Sequence, residues 1–579
     1  MAEAFNTMFR NKQYIKALGE GILIPLNKPG KEKKPNFVRP ITLLTSIRKI
    51  FSLVILERIY PSVEKYVSHS QCGFRRNRGT IDVAWSYSWL RAIAWRYQRV
   101  SHIAGIDMSV AFDSMDRNKL LWIIGNIVSR DEERMIRSLL ANTTLQVRIS
   151  GNLGQPFGTT LGTPQGDGLS PVLFIIYLEG AMKELRAIDG ALHGKFHGGY
   201  WFEDINEMSY ADDVDFISPN LELLDSLMLR IPEDNFVAYH LKVNVAKTER
   251  KSLDNKLKVA TNYKKLGSHT DMDADVRLRI QKANHAFHSM WKTWNSRLIS
   301  FKTRLRLYNA CIKSILLYNI AAVAYTELQI QKLEAAHRCH LRCLLRIHYP
   351  NVISNVALYN STNCHPIRNE MVIARWRYLR KVLHIHPSDP AYSTMWQYYA
   401  NETEAPKHRG APPTTLPLIL HKDLQLVGKG LRTCQDFGNL EELAKNNKCW
   451  KELLSSIIEK TLQKVRQQIQ EKHSKRQRLG SVSDVEIPPG QSQPTNVSTV
   501  IPLTGGILNN HHTSESFHTN SNTTRKRDRN QVHGTLEVSK EKRGKRGEEI
   551  NEYIGNVERN IRLDSELSGI SQDVNDRTR

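Results

Sequence analysis

Two adjacent aspartates, Asp212 and Asp213, lie between short apolar runs in the segment MSYADDVDFIS (208–218). Such runs are typical of β-strands, so the two aspartates are predicted to lie at the turn of a hairpin. Aspartate also favours turns for structural reasons alone, and this segment by itself therefore favours a structural interpretation.

A second carboxylate site lies upstream in HIAGIDMSVAFDSMD (102–116), where Asp107 follows a strand-like run and Asp113 ends an Ala-Phe-Asp triplet. A carboxylate at the end of a buried strand is costly unless something compensates its charge. A divalent cation would compensate Asp107, Asp212 and Asp213 together. Two Mg²⁺ ions about 3.5–4 Å apart can activate an attacking hydroxyl and stabilise a leaving phosphate, which is the chemistry of phosphoryl transfer.

A glycine-rich segment, GTPQGDGLSPVLF (162–174), lies between the two carboxylate sites. Its glycines and proline predict a stiff loop that can approach a base or a sugar closely. The next helix is predicted to begin near Ser170 and Pro171, which are suited to the first turn. An ordinary surface loop is the alternative interpretation.

The charge of the chain points to a polyanionic partner. The 579 residues include 82 Lys and Arg against 58 Asp and Glu, a formal net charge of +24, and nucleic acid is the first candidate partner. Solubility, or a basic disordered tail, is the alternative. The seven cysteines are odd in number and irregularly spaced, which argues against a disulfide framework and for a reducing compartment. Neither a secretory leader nor a membrane span is expected.

The elements that must position these residues can be placed approximately. Strands are predicted at 21–26, 102–107 and 214–218, with helical stretches at 43–66, 82–98 and 117–141. Residues 275–348 predict two or three helices, including a basic helical stretch at 304–325. Further helical patterns cover 368–386 and 440–470, with a Pro/Gly loop at 405–416 between them. From about Glu471 the composition predicts disorder.

In this order the segments resemble the fingers and palm of reverse transcriptases from non-LTR (LINE-type) retrotransposons. The resemblance covers residues 13–270 and continues weakly to about 460. Its motifs are IPLNKPGKEKKPNFVRPITLLTSIRKIFSLVILERI (24–59), QCGFRRNRGTIDVAW (71–85), GIDMSVAFDSMD (105–116), GTPQGDGLSP (162–171), YADD (210–213), LKVNVAKTE (241–249), YKKLGS (263–268), RWRYLRKVLHI (375–385) and RGAPPTTL (409–416).

The resemblance implies a catalytic role for four residues. Asp107, Asp212 and Asp213 would hold two Mg²⁺ ions, or Mn²⁺, helped by the carbonyl of Ile106 or Met108. Lys247 would be the general acid that protonates the departing pyrophosphate. A surface lysine is the alternative for Lys247.

The resemblance also implies binding roles. Phe112 would be a steric gate against a ribose 2′-hydroxyl, with a core phenylalanine as the alternative. Lys28 and Arg39 would meet the triphosphate, for which the forked guanidinium is suited; Lys28 also lies in a charge run that solvent could account for. Gln165 and Gly166 would line the template and nucleotide pocket. The remaining implied residues are Tyr210 in substrate binding and Tyr263, Leu266 and Gly267 in the primer grip.

The implied fold is α+β, a right-hand polymerase whose palm carries an antiparallel sheet with helices on one face. Its expected parts are an N-terminal extension (1–20), fingers and palm (21–270), a helical thumb (271–350), a C-terminal region of uncertain function (351–470) and a disordered basic tail (471–579). The thumb stretch 304–325 would follow the backbone of the hybrid.

The resemblance implies a template of RNA, a primer or nicked target of DNA, and dNTP substrates, with synthesis in the nucleus and the protein otherwise in the cytoplasm. Two residues depart from the family pattern, Val110 and His240, and neither touches the implied metal chemistry. The tail is expected to be dispensable for polymerisation. No endonuclease motif is evident, so the chain is expected to be a truncated or partial open reading frame, or to depend on nicks made elsewhere.

Alternatives to this reading remain open. The chain could be a reverse transcriptase of the group II intron maturase type, or an inert or domesticated descendant that binds nucleic acid. Cys339, Cys343 and Cys364, with nearby histidines, could be zinc ligands, although their spacing favours helix packing. The basic clusters at 472–478, 525–529 and 540–547 could serve nuclear import, RNA binding or solubility.

Overall fold

The structure of the chain is a computed structural model. The structure describes residues 2–11, 18–28, 30, 38–109, 111–141, 143–188, 200–201, 205–231, 236–253, 264–269, 271–400, 405–406 and 412–480. The chain divides into two units, residues 1–460 and 461–579, and the second unit is described only as far as residue 480.

The first part of the chain contains both helices and strands. In order they are α1 (Ala2–Asn11), β1 (Glu20–Asn27), β2 (Val38–Leu44), α2 (Ser46–Tyr66), α3 (Thr80–Arg96), β3 (Ser101–Ile106), β4 (Met108–Ser109), α4 (Ala111–Ser114), α5 (Arg117–Gly125), α6 (Arg130–Ala141), β5 (Thr144–Ile149), β6 (Asn152–Leu153), β7 (Phe157–Gly158) and α7 (Ser170–Ile188). The second group is β8 (Tyr200–Trp201), β9 (Ile205–Tyr210), β10 (Asp213–Ser218), α8 (Leu221–Arg230), α9 (Phe236–Ala238), β11 (Lys242–Val243), β12 (Glu249–Leu253), β13 (Lys264–Lys265) and β14 (Ser268–His269).

The palm sheet is antiparallel, as predicted, with strand order β12-β3-β10-β9-β8. The prediction that its helices lie on one face is wrong. Ala104 and Phe216 of the sheet belong to the core that includes α7 and α8. Ile103 and Ile217, the next residues along the same strands, instead join a second core with α3. Successive strand residues point to opposite faces, and both faces of β3 and β10 are apolar here, so both must be covered.

A second sheet, also of five strands, is built around β1 and β5. β1 pairs antiparallel with β2 and parallel with β5, and β6 and β7 each pair with β5. The strand predicted at 21–26 is β1 within this sheet. The helical stretch predicted at 117–141 is divided into α5 and α6, because α5 ends at the cap residue Asn126.

In the described part of the chain after residue 270, helices are joined by turns and irregular segments, without strands. The helices are α10 (Met272–Ser289), α11 (Trp291–Asn295), α12 (Phe301–Tyr308), α13 (Ser314–Leu316), α14 (Glu327–Leu344), α15 (Asn355–Thr362), α16 (Ile367–Val382), α17 (Pro390–Ala400), α18 (Leu416–Gln425), α19 (Cys434–Lys445) and α20 (Asn447–Gly480). In the described part of the chain, no helix has the length and apolar character needed to cross a membrane.

The stretch 304–325 is not one helix. It contains the end of α12, a π-helical turn at Asn309–Lys313, α13 and a 3₁₀ turn at Ile320–Ala322. Asn319 has a left-handed backbone (φ 49°), and its side chain bonds to Thr80 and Ser268 in distant segments. Asparagine adopts this conformation more readily than most residues. Tertiary contacts therefore override the helical periodicity at this point.

The C-terminal helix α20 continues to Gly480. Residues 471–480, where the sequence predicted the beginning of the disordered tail, are thus helical. The rest of that predicted tail, residues 481–579, lies outside the described residues, as do the basic clusters at 525–529 and 540–547.

Two buried histidines of α14, His337 and His340, make the stability of the folded chain dependent on pH. Burial, with smaller contributions from neighbouring positive charge, lowers the pKa of His337 to about 3 and that of His340 to about 4. His337 bonds to the hydroxyl of Tyr308, and His340 stacks on Phe287. The unfolded histidines gain protons near pH 6.5, whereas the folded ones remain neutral. Stability is therefore complete above pH 6.5 and decreases as the pH falls below that value.

We expect each of these histidines to lower the free energy of unfolding by about 2 kcal/mol between pH 7 and pH 5. Denaturant titrations at pH 7, 6 and 5 would measure this change. The double variant His337→Gln/His340→Gln should be less stable at pH 7 but should show a flatter dependence on pH. Equal slopes for the two proteins would contradict this assignment.

Candidate active site

The two predicted carboxylate sites meet at one end of the palm sheet. Val214 of β10 pairs with Ile106 of β3, so Asp107 and Asp213 lie where these two strands end, on the same side of the sheet. This end of the sheet is called its edge below. Asp213 in turn pairs with Tyr210 of β9, and the hairpin predicted for the adjacent aspartates is therefore confirmed. Asp212 lies in the turn of that hairpin.

Negative charge is concentrated at this edge. Burial raises the pKa of Asp212, and the nearby charges of Asp213 and Asp107 raise it further. Lysines balance the other two carboxylates. Lys247 Nζ lies 3.0 Å from Asp107 Oδ2, and Lys265 Nζ lies 3.2 Å from Asp213 Oδ1. Asp107 and Asp213 thus each have a lysine partner within 3.2 Å.

The donor set suits a divalent cation, although no described group of three or more His, Cys, Asp or Glu side chains has an arrangement ready to hold a metal ion. Carboxylate oxygens are the ligands that Mg²⁺ prefers. A cation beside Asp212 would relieve the repulsion from Asp107 and Asp213 that raises its pKa. Asp213 would have to exchange its bond with Lys265 for such a cation.

A buried network fixes Lys265. Besides Asp213, Lys265 Nζ donates to Asp215 Oδ1 at 2.8 Å, and the hydroxyl of Tyr87 donates to Asp215 Oδ2 at 2.6 Å. Sequence reasoning gave Lys265 and Asp215 no role. The signal was present, because a charged residue inside the buried strand VDFIS is costly unless it is paired.

Phe112 lies at the boundary between the core and the site. It is half-buried, with its ring centroid 4.4 Å from that of Phe174 in the core and 6.1 Å from that of the exposed Phe74. Both interpretations of Phe112, a steric gate and a core residue, are compatible with this position.

The glycine-rich loop is held against the fingers and the palm. The Gln165 carbonyl accepts from the backbone N–H of Thr42 at 2.6 Å, and its side-chain amide donates to both oxygens of Asp113. Gly166 has φ 128°, and a Cβ there would lie 2.4 Å from the Thr42 carbonyl oxygen. Only glycine suits this position. The Gln165 amide, predicted to face a pocket, is engaged with Asp113.

The remaining predicted binding residues lie on different elements. Lys28 and Arg39 are exposed, at the end of β1 and in β2, and the positive charge of Lys28 partly offsets the burial that raises the pKa of Asp113. Lys28 is therefore close to the site. Tyr210 is partly buried and packs against the core that includes α3.

The predicted primer grip forms a small hairpin, β13–β14. Leu266 and Gly267 occupy its turn with φ 46° and 84°, a conformation in which leucine is strained. The Tyr318 hydroxyl donates to the Leu266 carbonyl at 2.8 Å, and its ring would be 3.1 Å from a Cβ on Gly267. Tyr263 lies outside the described residues.

A protein-family model described as reverse transcriptase (RNA-dependent DNA polymerase) matches residues 27–270. A second family model, described only as a domain of unknown function, matches residues 286–318. The first match includes both carboxylate sites, the glycine-rich loop and the primer-grip hairpin.

Curated relatives come from mobile elements. The chain is 27% identical over 194 residues to the probable RNA-directed DNA polymerase from transposon X-element of Drosophila melanogaster, covering 33% of this chain and 21% of that protein. It is 24% identical over 180 residues to the corresponding protein of transposon BS from the same organism, covering 31% and 20%. It is also 23% identical over 211 residues to the Pol polyprotein of the type-1 retrotransposable element R2 of Popillia japonica, covering 36% and 28%. The chain spans less than a third of each of these relatives.

Among solved structures, apo telomerase from Candida tropicalis aligns at a TM-score of 0.37 and 12% identity, covering 67% of each chain. Telomerase from Candida albicans in complex with a fragment of telomeric RNA aligns at a TM-score of 0.33 and 12% identity, covering 65% of this chain and 66% of that one.

The family match and the curated relatives agree on one family. Residues 27–270 therefore carry a reverse transcriptase (RNA-dependent DNA polymerase) domain, and the curated proteins to which the chain is similar are polymerases of mobile elements.

Proposed function

We propose that this chain is the RNA-directed DNA polymerase of a non-LTR retrotransposon and extends a DNA primer on an RNA template. The observation that carries the proposal is the meeting of Asp107, Asp212 and Asp213 at one edge of the palm sheet. Lys247 and Lys265 pair with Asp107 and Asp213, but the charges of these two carboxylates still raise the pKa of Asp212. A bound cation would relieve that repulsion, which supports a role in binding metal ions.

The carboxylates would hold Mg²⁺ or Mn²⁺, which when bound supplies Lewis-acid activation of the primer 3′-hydroxyl and stabilises the charge on the leaving pyrophosphate. Lys247 is 66% exposed and already beside Asp107, so its ammonium group can reach a departing pyrophosphate and donate a proton. Lys28 and Arg39 present positive charge from the fingers to the dNTP triphosphate.

Primer extension tests this proposal. The purified chain should add dNTPs to a DNA primer annealed to RNA when Mg²⁺ or Mn²⁺ is supplied, and the products should follow the template sequence. Failure of folded protein to extend the primer with either metal would favour the inert, nucleic-acid-binding alternative.

Phe112 is expected to select against ribonucleotides. Phe112→Val should raise rNTP incorporation relative to dNTP by about 10–200-fold, because the shortened side chain leaves room for a 2′-hydroxyl. Single-nucleotide addition with paired rNTP and dNTP would measure the ratio. The matched control is Phe174→Leu, which removes the core partner of the same ring and should lower the thermal midpoint without a comparable change in the ratio. An unchanged ratio in soluble Phe112→Val would make Phe112 a core residue only.

A further inference from the structure

A buried glutamine outside the carboxylate cluster holds the backbone next to Asp212. Gln71 Oε1 accepts hydrogen bonds from the N–H groups of Ala211 and Gly73, each at 2.8 Å, and Gln71 Nε2 donates to the Ala211 carbonyl at 3.1 Å. Gln71 is 4% exposed. One amide therefore satisfies both backbone polar groups of the residue that precedes Asp212.

The turn needs such support. Ala211 has a left-handed backbone (φ 58°), a conformation that residues other than glycine keep only where their surroundings enforce it. Gly73 packs directly on the same turn, where a Cβ would lie 2.2 Å from the Ala211 nitrogen. The direction in which the Asp212 side chain leaves the turn therefore depends on the segment that carries Gln71 and Gly73.

This clamp segment, residues 69–78, is joined to β9 by backbone hydrogen bonds. Cys72 N–H donates to the Ser209 carbonyl at 2.7 Å, and Ser209 N–H donates to the Ser70 carbonyl at 3.0 Å. Arg75 fixes the segment from the other side, through two bonds to Glu64 at 3.0 and 2.7 Å. The register of Gln71 against the turn is set by these contacts.

The C-terminal region also holds the clamp segment. Asp389, which is 1% exposed at its side chain, accepts from His69 Nδ1 at 3.1 Å and pairs with Arg78. The rings of His69 and His386 stack with centroids 4.3 Å apart. Burial would raise the pKa of Asp389, but the contacts with His69 and Arg78 outweigh it and lower the pKa. These two contacts thus favour the ionised form of Asp389, and they join it to both ends of the clamp segment, at His69 and at Arg78.

The next helix along the chain is held by the same region. Asp82, in the first turn of α3, accepts from the Tyr378 hydroxyl at 2.8 Å and from Lys381 Nζ at 2.9 Å, while its other oxygen accepts from the N–H of Gly79 at 2.7 Å. Both donors lie on α16. The C-terminal helices therefore contact the clamp segment and the helix that immediately follows it.

We propose that Gln71 is a positioning residue for the Asp212 carboxylate, and that Asp389 of the C-terminal region keeps Gln71 in register against the turn. This gives residues 351–470 a role in the polymerase site although they lie outside the matched family domain. The kinetic part of the proposal rests on the proposed polymerase function, whereas its metal-binding part does not.

The test is a titration of the purified full chain with Mn²⁺, followed by electron paramagnetic resonance. Gln71→Met keeps the size of the side chain but removes all three hydrogen bonds. We expect it to weaken Mn²⁺ binding about 10–100-fold, as the loss of a group that orients a metal ligand does. In primer extension, kcat should fall by a similar factor with little change in KM for dNTP.

Three further variants make the result decisive. Gly73→Ala, which pushes on the Ala211 backbone, and Asp389→Asn, which is remote from the carboxylates, should weaken Mn²⁺ binding in the same way. They also decide the matter if Gln71→Met does not fold. The matched control is Gln329→Met, since Gln329 is a buried glutamine that accepts the backbone N–H of Thr326 in the α14 cap. It should lower the thermal midpoint and leave Mn²⁺ affinity unchanged.

Unchanged Mn²⁺ affinity in Gln71→Met and Gly73→Ala, with only a lower thermal midpoint, would overturn the role of Gln71. Unchanged affinity in Asp389→Asn alone would overturn the part assigned to the C-terminal region. A wild-type chain that binds Mn²⁺ at Asp212 but extends no primer would refute the polymerase function and leave the positioning role to be judged on Mn²⁺ affinity.

Discussion

Asp212→Asn is expected to lower the rate of templated dNTP incorporation by about a thousandfold or more. Metal-assisted charge stabilisation contributes several kcal/mol to such reactions, and each 1.36 kcal/mol corresponds to about tenfold in rate. Asparagine keeps the size of the side chain but removes the charge that would bind the cation. Single-turnover primer extension in Mg²⁺ would measure the loss.

The same substitution should not destabilise the fold. The pKa of Asp212 is raised, first by burial and then by the charges of Asp213 and Asp107, so its ionised form is unfavourable in the folded chain. Removing that charge at neutral pH is therefore expected to leave the thermal midpoint unchanged or to raise it. The control is Asp225→Asn, which removes a partly exposed carboxylate of α8 that pairs with Arg250 of β12, and it should retain activity. Synthesis by Asp212→Asn at the wild-type rate would reject the catalytic assignment.

Asp167→Leu is expected to lower the free energy of unfolding by about 3–5 kcal/mol, because it leaves a buried guanidinium without its counter-charge. Arg48 Nε lies 3.1 Å from Asp167 Oδ2, and the two side chains are 1% and 2% exposed. Asp167 also accepts from the hydroxyl of Ser52 at 3.0 Å. This pair joins helix α2 of the fingers to the glycine-rich loop, so its loss should loosen that loop as well.

Urea denaturation would measure this change. The matched control is Arg58→Leu, since the pair of Arg58 with Glu132 has similar length, 3.1 Å, but a 51% exposed arginine, and the bonds of Glu132 with Ser129 are kept. It should cost less than about 1 kcal/mol. The double variant Arg48→Met/Asp167→Leu should recover part of the loss, because no unpaired charge then remains in the interior. A change below about 1 kcal/mol in Asp167→Leu would show that water reaches Arg48.

Strands and turns were predictable where they depend only on residues that are close together in the sequence. The apolar runs that became β1, β3 and β10, and the hairpin turn at Asp212 and Asp213, are confirmed. Alternation and turn residues specify such elements within a few positions of the chain. Gly166 does allow a close approach, but to the Thr42 carbonyl of this chain, and its predicted place in the template and nucleotide pocket stays a prediction.

Several features could not be predicted because they depend on partners distant in the chain. Three of them arise from contacts between distant segments. Helix α3 covers the second face of the palm sheet, the stretch 304–325 is interrupted at Asn319, and Gln165 bonds to Asp113. The hydrophobic periodicity of a segment shows which of its faces is apolar, but it does not show which other element will pack against that face.

Residue types and their order along the chain were enough to identify the candidate carboxylates and the motifs that resemble a reverse transcriptase. How those carboxylates are held depends on contacts that form only in the folded chain. Lys265 bonds to Asp213 across 52 positions of sequence, and Gln71 holds the turn across 140 positions. The physical reason is that hydrogen bonds and ion pairs act over about 3 Å in space, regardless of separation along the chain.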